Sequence, residues 1–596
     1  MKRIKIFSMI LMGGCLIAAT SCKKYLDVNN NPNSPTDVTP DLILPAAVAQ
    51  TAATNVTFNS YAAWAGGYQA NAGGYGGFGS VLTYNYSTSD NNGLWSQSFN
   101  NLNDYQTIIN KTDATGPYKN YNAIAKIMKA FCYLRLIDVY NDVPYSEALK
   151  GLGNLNPKYD KAEDVYRGLF KEINEAIASL ALPNDPQVTI KTATSPNSQR
   201  IDIVYAGGEG DAANFTNFEA STGFPSARWT QFANTLKLKM LVRTREVPTF
   251  SATFNEEKTK LAGATFVTYD VKVQPGYAAQ SGKQNPHWNS YAWDAAGNVQ
   301  QLTTLPTFYA YGFYDGTKIE DDIRGYGKAN APVVTYKDYD TGNQLGVQNQ
   351  FVALSPNGTP WFTGSGSSTS GSGLGVLKGP TMSQPLMLAA ESYFLQAEAS
   401  LFGIIAPGSD ETYFNLGIQA SDRYLYTKQD ESIDASRVAG TSAGAPAGPG
   451  GTPPAVKMSD FYYYQHEGNN ANNYLVVYGL PKQPESVNPN DKYNTDAIQR
   501  KLEAIVTQKW ISVNYIHSNE GWSDYRRTGY PVTGAQFAPQ GAHLEYYNFA
   551  STQSTSTRLD KLPVRVLYPQ SEYALNPTNV PQGINAFTSR VFYDLN

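Results

Sequence analysis

Residues 122–140 constrain the fold more than any other stretch of the chain. Ile124, Ile127, Met128, Phe131 and Leu134 recur at helical spacing and make one apolar stripe. Ala130, Cys132 and Leu136 add apolar surface on other faces, so this helix is expected deep in a core rather than on its edge. Pro144 marks its end. A second helix follows over residues 161–180, with Ala162, Val165, Leu169, Ile173, Ala176, Ile177 and Leu180 on its apolar face. Asp160 with Glu163 three residues on suits a reciprocal N-terminal cap. Tyr159, Ala162, Tyr166, Ala176 and Pro183 fall much as in a degenerate tetratricopeptide helix pair.

Further helical patterns cover residues 41–53, 94–110 and 226–247. Others begin at Ser383, where Pro385 suits a first turn and Gly403 the end, and span 411–428 and 495–515. Between them lies a different chemistry. Residues 64–95 hold eight glycines among Trp64, Tyr68, Tyr75, Phe78, Tyr84, Tyr86 and Trp95. Residues 248–380 read as loops and short strands, with Trp288, Tyr291 and Trp293 within six residues and a Gly/Ser tract at 364–375. Residues 432–454 are Ala/Gly/Pro-rich. The reading is therefore mainly α: a tetratricopeptide-like helix-pair scaffold at about 95–247 and 383–516. Loop-rich insertions fall at about 60–95 and 248–380, and 430–490 is a variable loop.

The N-terminus sets the location. Residues 1–5 are basic, residues 6–19 are mostly apolar, and Ala19-Thr20-Ser21 leads to Cys22. This is a secretory signal, and its apolar run is shorter than the ~20 residues a spanning helix needs. Cys22 stands where a bacterial lipobox places the lipidated cysteine. Cys15 is a rival, and an ordinary secretory signal is the plainer alternative. Cys22 is preferred because it leaves the longer apolar run and the chain turns polar at once. The expectation is a signal at 1–21, then an Asn- and Pro-rich lipidated arm at 22–45. Lipid would hold the protein at a membrane surface without a spanning segment.

Of the 596 residues only 16% are charged, against roughly 25% in a typical soluble protein. Net charge is −4 and there is no basic stripe, which argues against nucleic acid as a partner. Cys132 reads as a buried structural thiol. His287, His466, His517 and His543 show no metal-ligand spacing, so no metal or cofactor is expected. Gly74 to Gly79 satisfies G-x-G-x-x-G but lacks the flanking strand and helix of a dinucleotide site. Gly440 to Gly444 satisfies G-x-S-x-G in low-complexity sequence, not on a strand-to-helix turn. Glu520 and Asp524, beside Arg526 and Arg527, read as structural ion pairing. No catalytic residue is assigned.

The aromatic loops are the stronger signal. Exposed Tyr and Trp offer a flat apolar face and a hydrogen-bonding edge, which suits the C–H patches and rim hydroxyls of a sugar. Trp288, Asn289, Tyr291, Trp293 and Asp294 are expected to meet Tyr75, Tyr84 and Trp95 on one solvent-facing surface. Tyr309, Tyr311 and Tyr314 are next in line.

Several stretches taken together resemble one family. They are residues 31–36 after the cysteine, 138–145 with Glu147 and Ala148, 391–399, 417–421, and Gln508-Lys509-Trp510 leading into 522–531. Arg565 to Pro569, Glu572 and Asn576 complete the set. They are similar to the SusD/RagB family of Bacteroidota outer-membrane lipoproteins, in its SusD-like branch. Asp322-Ile323-Arg324 departs from the family's Asp-Pro-Arg. The resemblance implies one SusD-like helical globule over 46–596, whose loop insertions at about 60–95 and 248–380 build the ligand face, lipid-anchored at the outer membrane and facing the cell surface. It would bind oligosaccharide, or in some members peptide, without catalysis and deliver it to a TonB-dependent β-barrel transporter. A secreted glycan-active hydrolase is the alternative. The resemblance assigns no ligand residue, because these vary among members.

Overall fold

The computed structural model describes residues 38–183, 202–204, 226–315, 317–318, 324, 335–336, 342–349, 361–362, 373–432, 497–538 and 541–595. The signal, Cys22, residues 440–444 and most of the 430–490 loop lie outside them.

About half of the structure is helical, with few strands. Helix α1 (Pro40–Ala65) runs twice as far as its sequence pattern suggests and carries Pro45 near its start. A short turn, α2 (Ser80–Thr83), precedes α3 (Asn92–Lys111) and α4 (Lys119–Tyr140). Then come α5 (Ala162–Leu180), α6 (Ser226–Thr244) and α7 (Ser251–Lys260). Short helices α8 (Pro286–Tyr291) and α9 (Phe308–Tyr311) lie in the loop-rich part. The second half has α10 (Ala389–Leu401), α11 (Asp410–Tyr426), α12 (Ala497–Ser512), α13 (Ser518–Thr528) and α14 (Gln570–Leu575).

Helix α4 is buried along its whole length, as its all-round apolar pattern demands. It packs between α3 and α5. The α4–α5 pair is antiparallel: Lys126 reaches Glu175 at 2.7 Å and Lys129 reaches Glu172 at 2.8 Å. Helices α10 and α11 form a second close pair. Their approach depends on Gly417, where a Cβ would lie 2.7 Å from the Phe394 ring. Buried apolar residues from Leu44 to Tyr593 form one contiguous cluster. Cys132 is inside it, 3.5 Å from Asn101 Oδ1; burial pushes its thiol up to about 12, so it is a structural residue.

Three local expectations are corrected. Asp160 does not cap α5: it accepts from the Tyr145 and Ser146 amides, at 2.9 and 2.8 Å. The Ala162 amide instead donates to Asp142, 3.1 Å away. Tertiary contact supplies the cap that local sequence also offered. Ser383 does not open a helix. Strand β4 (Gln384–Met387) comes first, pairing antiparallel with β2 (Val271–Val273), and α10 starts only at Ala389. Last, the Pro-, Tyr- and Asn-rich remainder after about Tyr515 reads as coil in sequence but holds a buried helix. Helix α13 places Trp522, Asp524, Arg526 and Arg527 in the core, closed by Gly529 in the left-handed region.

Candidate functional site

The loop-rich segments are stitched into one face. Strand β1 (Gln69–Asn71) continues directly from α1 and pairs with β3 (Thr304–Pro306), matching Ala70 with Leu305. Beyond it the Ala72 amide donates to Thr303 O at 2.7 Å, and the Gly74 amide to Gln348 O at 3.1 Å. Asn71 is the buried staple: its Nδ2 donates to Val347 O at 2.9 Å and its Oδ1 accepts from the Gly346 amide at 2.9 Å. Gly346 has φ +92°, and a Cβ there would strike Ser551 Oγ at 2.4 Å, so only glycine permits this approach. The Thr552 amide donates to Leu345 O at 2.9 Å, and the Thr555 amide to Thr83 O at 3.1 Å. Four segments, 66–86, 292–307, 342–349 and 544–557, thus share one network.

The 73–79 loop stands clear of this base. A Cβ added at Gly76, Gly77 or Gly79 would meet nothing within 4 Å. It carries Tyr75 and Phe78, both half-buried, and Phe78 meets half-buried Trp64 edge-on at 6.1 Å. Trp64 comes from the last turn of α1, so a rigid helix holds one ring of the set. Gln301 and Gln348 are half-exposed and Gln553 exposed along the stitched backbone. A second ring pair, Phe308 and Tyr546, lies 5.4 Å apart, both half-exposed. Such a surface can stack a ring and hydrogen-bond its rim.

The expected stacking residues divide sharply. Trp288 is 0% exposed, Tyr291 3% and Trp293 4%, which corrects the expectation that they face solvent. Asn285 caps α8 by accepting from the Trp288 amide at 2.9 Å. The six-residue helix turns Trp288 inward against α1, and Trp293 packs 5.4 Å from it. Tyr84 is also buried; its hydroxyl accepts from the Ser551 amide. Trp95 is a core residue too: its indole donates to Glu572 Oε1 at 3.1 Å, and Tyr140 and Tyr568 lie edge-on to the ring. Tyr309, Tyr311 and Tyr314 are equally buried. Coil sequence has no periodicity to say which rings turn inward.

Asn289 is exposed, and Asp294 half-exposed. Asp294 closes the turn of a small hairpin bridged at Trp293 and Val299, accepting from Asn298 Nδ2 and the Asn298 amide at 2.9 Å each. These bonds from Asn298 hold its carboxyl below the usual range. Of the eight expected residues, Tyr75, Asn289 and Asp294 remain at the surface. Trp64, Phe78, Gln348, Gln553 and Tyr546, not among the expected eight, also lie at the surface of these segments or beside them. Trp64 and Phe78 stood in the glycine-rich cluster, whereas nothing local in the sequence marks Gln348 or Gln553.

Two family models cover this chain. One, described as starch-binding and associating with the outer membrane, matches residues 32–439; the other, described as a Susd and RagB outer membrane lipoprotein, matches 457–590. The first alone spans more than half of the sequence. The chain belongs to the SusD/RagB family.

Solved SusD homologues share its fold. One from Bacteroides uniformis is 19% identical, with 93% of this chain and 99% of that one covered and a TM-score of 0.57. A chitin-binding homologue from Flavobacterium johnsoniae is 20% identical over the same shares, with a TM-score of 0.56. One from Bacteroides thetaiotaomicron is 17% identical over 94% and 100%, with a TM-score of 0.57. No curated protein matches the chain. In this SusD-like chain the Glu520 and Asp524 block makes structural ion pairs: Arg527 reaches Asp524 at 3.1 Å as expected, and further partners come from other helices. Glu520 pairs with Lys239 and Arg243 at 3.0 Å each, and Asp524 with Lys509 at 2.8 Å. Arg527 makes a two-pronged bond to Glu398, while Arg526 donates to Val564 O and lies over the Trp522 ring. Among the described residues no group of three His, Cys, Asp or Glu could hold a metal ion, and no helix is long and apolar enough to cross a membrane.

Proposed function

We propose that this protein is a non-catalytic lipoprotein of the outer membrane that captures oligosaccharide at the cell surface and passes it to a partner TonB-dependent β-barrel transporter. One globule, residues 46–596, would hang from a lipid on Cys22 through the 22–45 arm. The observation that carries the glycan reading is the stitched loop face, which carries half-exposed Trp64, Tyr75 and Phe78 and, on segments bonded to theirs, Gln301, Gln348 and Gln553 at the surface. Rings and amides side by side match a sugar's two kinds of surface. Family membership supports the envelope location, and a neighbour of the same fold is named chitin-binding.

Affinity electrophoresis of the full mature chain through gels containing polysaccharides tests this reading. At least one polymer should retard the protein while chromatography of the polymer finds no shortened product. Reproducible cleavage, abolished by one Asp or Glu substitution, would replace the binding role with a hydrolase. Retardation by peptide ligands alone would move the protein to the peptide-binding members.

A further inference from the structure

The loop face differs from the rest of the molecule in charge. No Lys or Arg occurs between Lys24 and Lys111, between Lys283 and Lys318, or between Arg527 and Arg558, although the whole chain has 46. These runs supply three of the four segments of the face. The fourth, 342–349, holds none either. The described charged residues of the three runs are acids, Asp41, Asp90, Asp104, Asp294, Asp315 and Glu545, of which Asp294 and Glu545 lie on the segments of the face. Exposed His543 lies 3.3 Å from Glu545. The polar groups on these segments include the amides of Gln301, Gln348 and Gln553, the last donating from Nε2 to Gly346 O at 2.5 Å.

We infer that the face selects uncharged glycans and rejects uronic-acid and sulfated chains. This rests on the glycan reading above and narrows it to a substrate class. A carboxylate or sulfate placed on this surface would meet no cation among the described residues of its four segments to offset its lost hydration; Lys561, outside them, spends a hydrogen bond on Ser556 O at 3.0 Å. The acids on the same segments would repel it within the ~8 Å over which exposed charges act at physiological salt. Amides and stacked rings bind hydroxyls and acetamido groups without such a cost, since Asn and Gln both donate and accept.

The test compares retention of the full mature chain by uncharged polymers (xyloglucan, glucomannan, soluble chitin oligosaccharides) and by polygalacturonate and chondroitin sulfate. The comparison is made at low salt and pH 8. Retention is expected only in the uncharged set, with apparent affinity at least about tenfold above the anionic set. A Gln348→Lys, Gln553→Lys double variant should gain retention by polygalacturonate that roughly 0.5 M salt removes. Retention of the unmodified protein by polygalacturonate or chondroitin sulfate, lost on Trp64→Ala, would overturn the inference and leave the glycan reading standing. A double variant that folds yet gains no anion binding would show that the face is not where glycan lies. Retention by neither set would overturn both.

Discussion

Lys239, Arg243, Lys509 and Arg527 lie inside the helical scaffold, each against a carboxylate, whereas Trp64, Tyr75 and Phe78 lie on a loop face whose described residues include no Lys or Arg. The usual arrangement of charge outside and rings inside is locally inverted. In the scaffold, α4, α6, α10, α12 and α13 meet through a buried lattice: Arg243 bridges Asp138 and Glu520, and Lys239 bridges Glu391 and Glu520. Charges so buried fix the register of helices because few other arrangements satisfy them, a use of buried polarity that holds in some systems. The loop face needs the opposite: a surface with few strongly hydrated groups, on which a ring can lie.

The strongest way to break this comparison is to unpair the lattice. Glu520→Ala leaves Lys239 and Arg243 each short of one partner in a dry interior. A loss of about 3–5 kcal/mol is expected, read as a shift in urea midpoint. The same groups make stability depend on acid. Burial alone would raise the Glu520 carboxyl, but Lys239 and Arg243 outweigh it and hold the group well below its usual range. Lys509 and Arg527 likewise outweigh burial and hold Asp524 low. Depressed carboxyls contribute stability that is full above their unfolded values, near pH ~4, and is lost as pH falls through the folded values. Asp138 is shifted the other way, chiefly by burial against Arg243, and offsets part of that loss. Urea midpoints measured from pH 6 downward should therefore fall below pH ~4, and a flat profile would contradict the lattice.

Next in size is Trp288→Ala. It removes a fully buried indole and should destabilise by about 3–5 kcal/mol, with binding per folded molecule unchanged. Lost affinity at unchanged melting temperature would instead return Trp288 to the ligand site. Gly417→Ala should cost about 1–3 kcal/mol by forcing α11 off the Phe394 ring, checked by the same melting curve. If that variant melts like the parent, α10 and α11 have slack that the 2.7 Å approach does not suggest.

The helices were legible because their cause is local. Residues 122–140 show the stripe, and α4 ends at Tyr140 as read. Where a distant partner decides, sequence misled. Ser383 and Pro385 look like a helix start until Val271–Val273 arrives to pair with residues 384–387, and Asp160 looks like a cap until Asp142 takes the role. The loop face was half legible. Trp64 to Trp95 does supply rings to that face, but glycine-rich sequence cannot say which rings turn inward. Tyr84 and Trp95 are fixed by Ser551 and Glu572, more than 450 residues away in the chain. Gln348 and Gln553 become neighbours of the 73–79 loop only through backbone bonds that no local pattern encodes. The coil around Trp288 had the right composition for a platform and the wrong orientation, because Asn285 starts a short helix that turns the indole inward.

The smallest expected effect on stability tests the central claim, that the loop face binds glycan. Trp64→Ala and Tyr75→Ala remove half-exposed rings, so each should change stability by less than about 1 kcal/mol. Calorimetric titration of the double variant, with whichever polysaccharide retards the parent protein, is the direct measurement. The account predicts at least about tenfold weaker binding, each 1.4 kcal/mol being tenfold, with the melting temperature within a few degrees of the parent. Parental affinity in a folded double variant would contradict it and place the ligand away from this face.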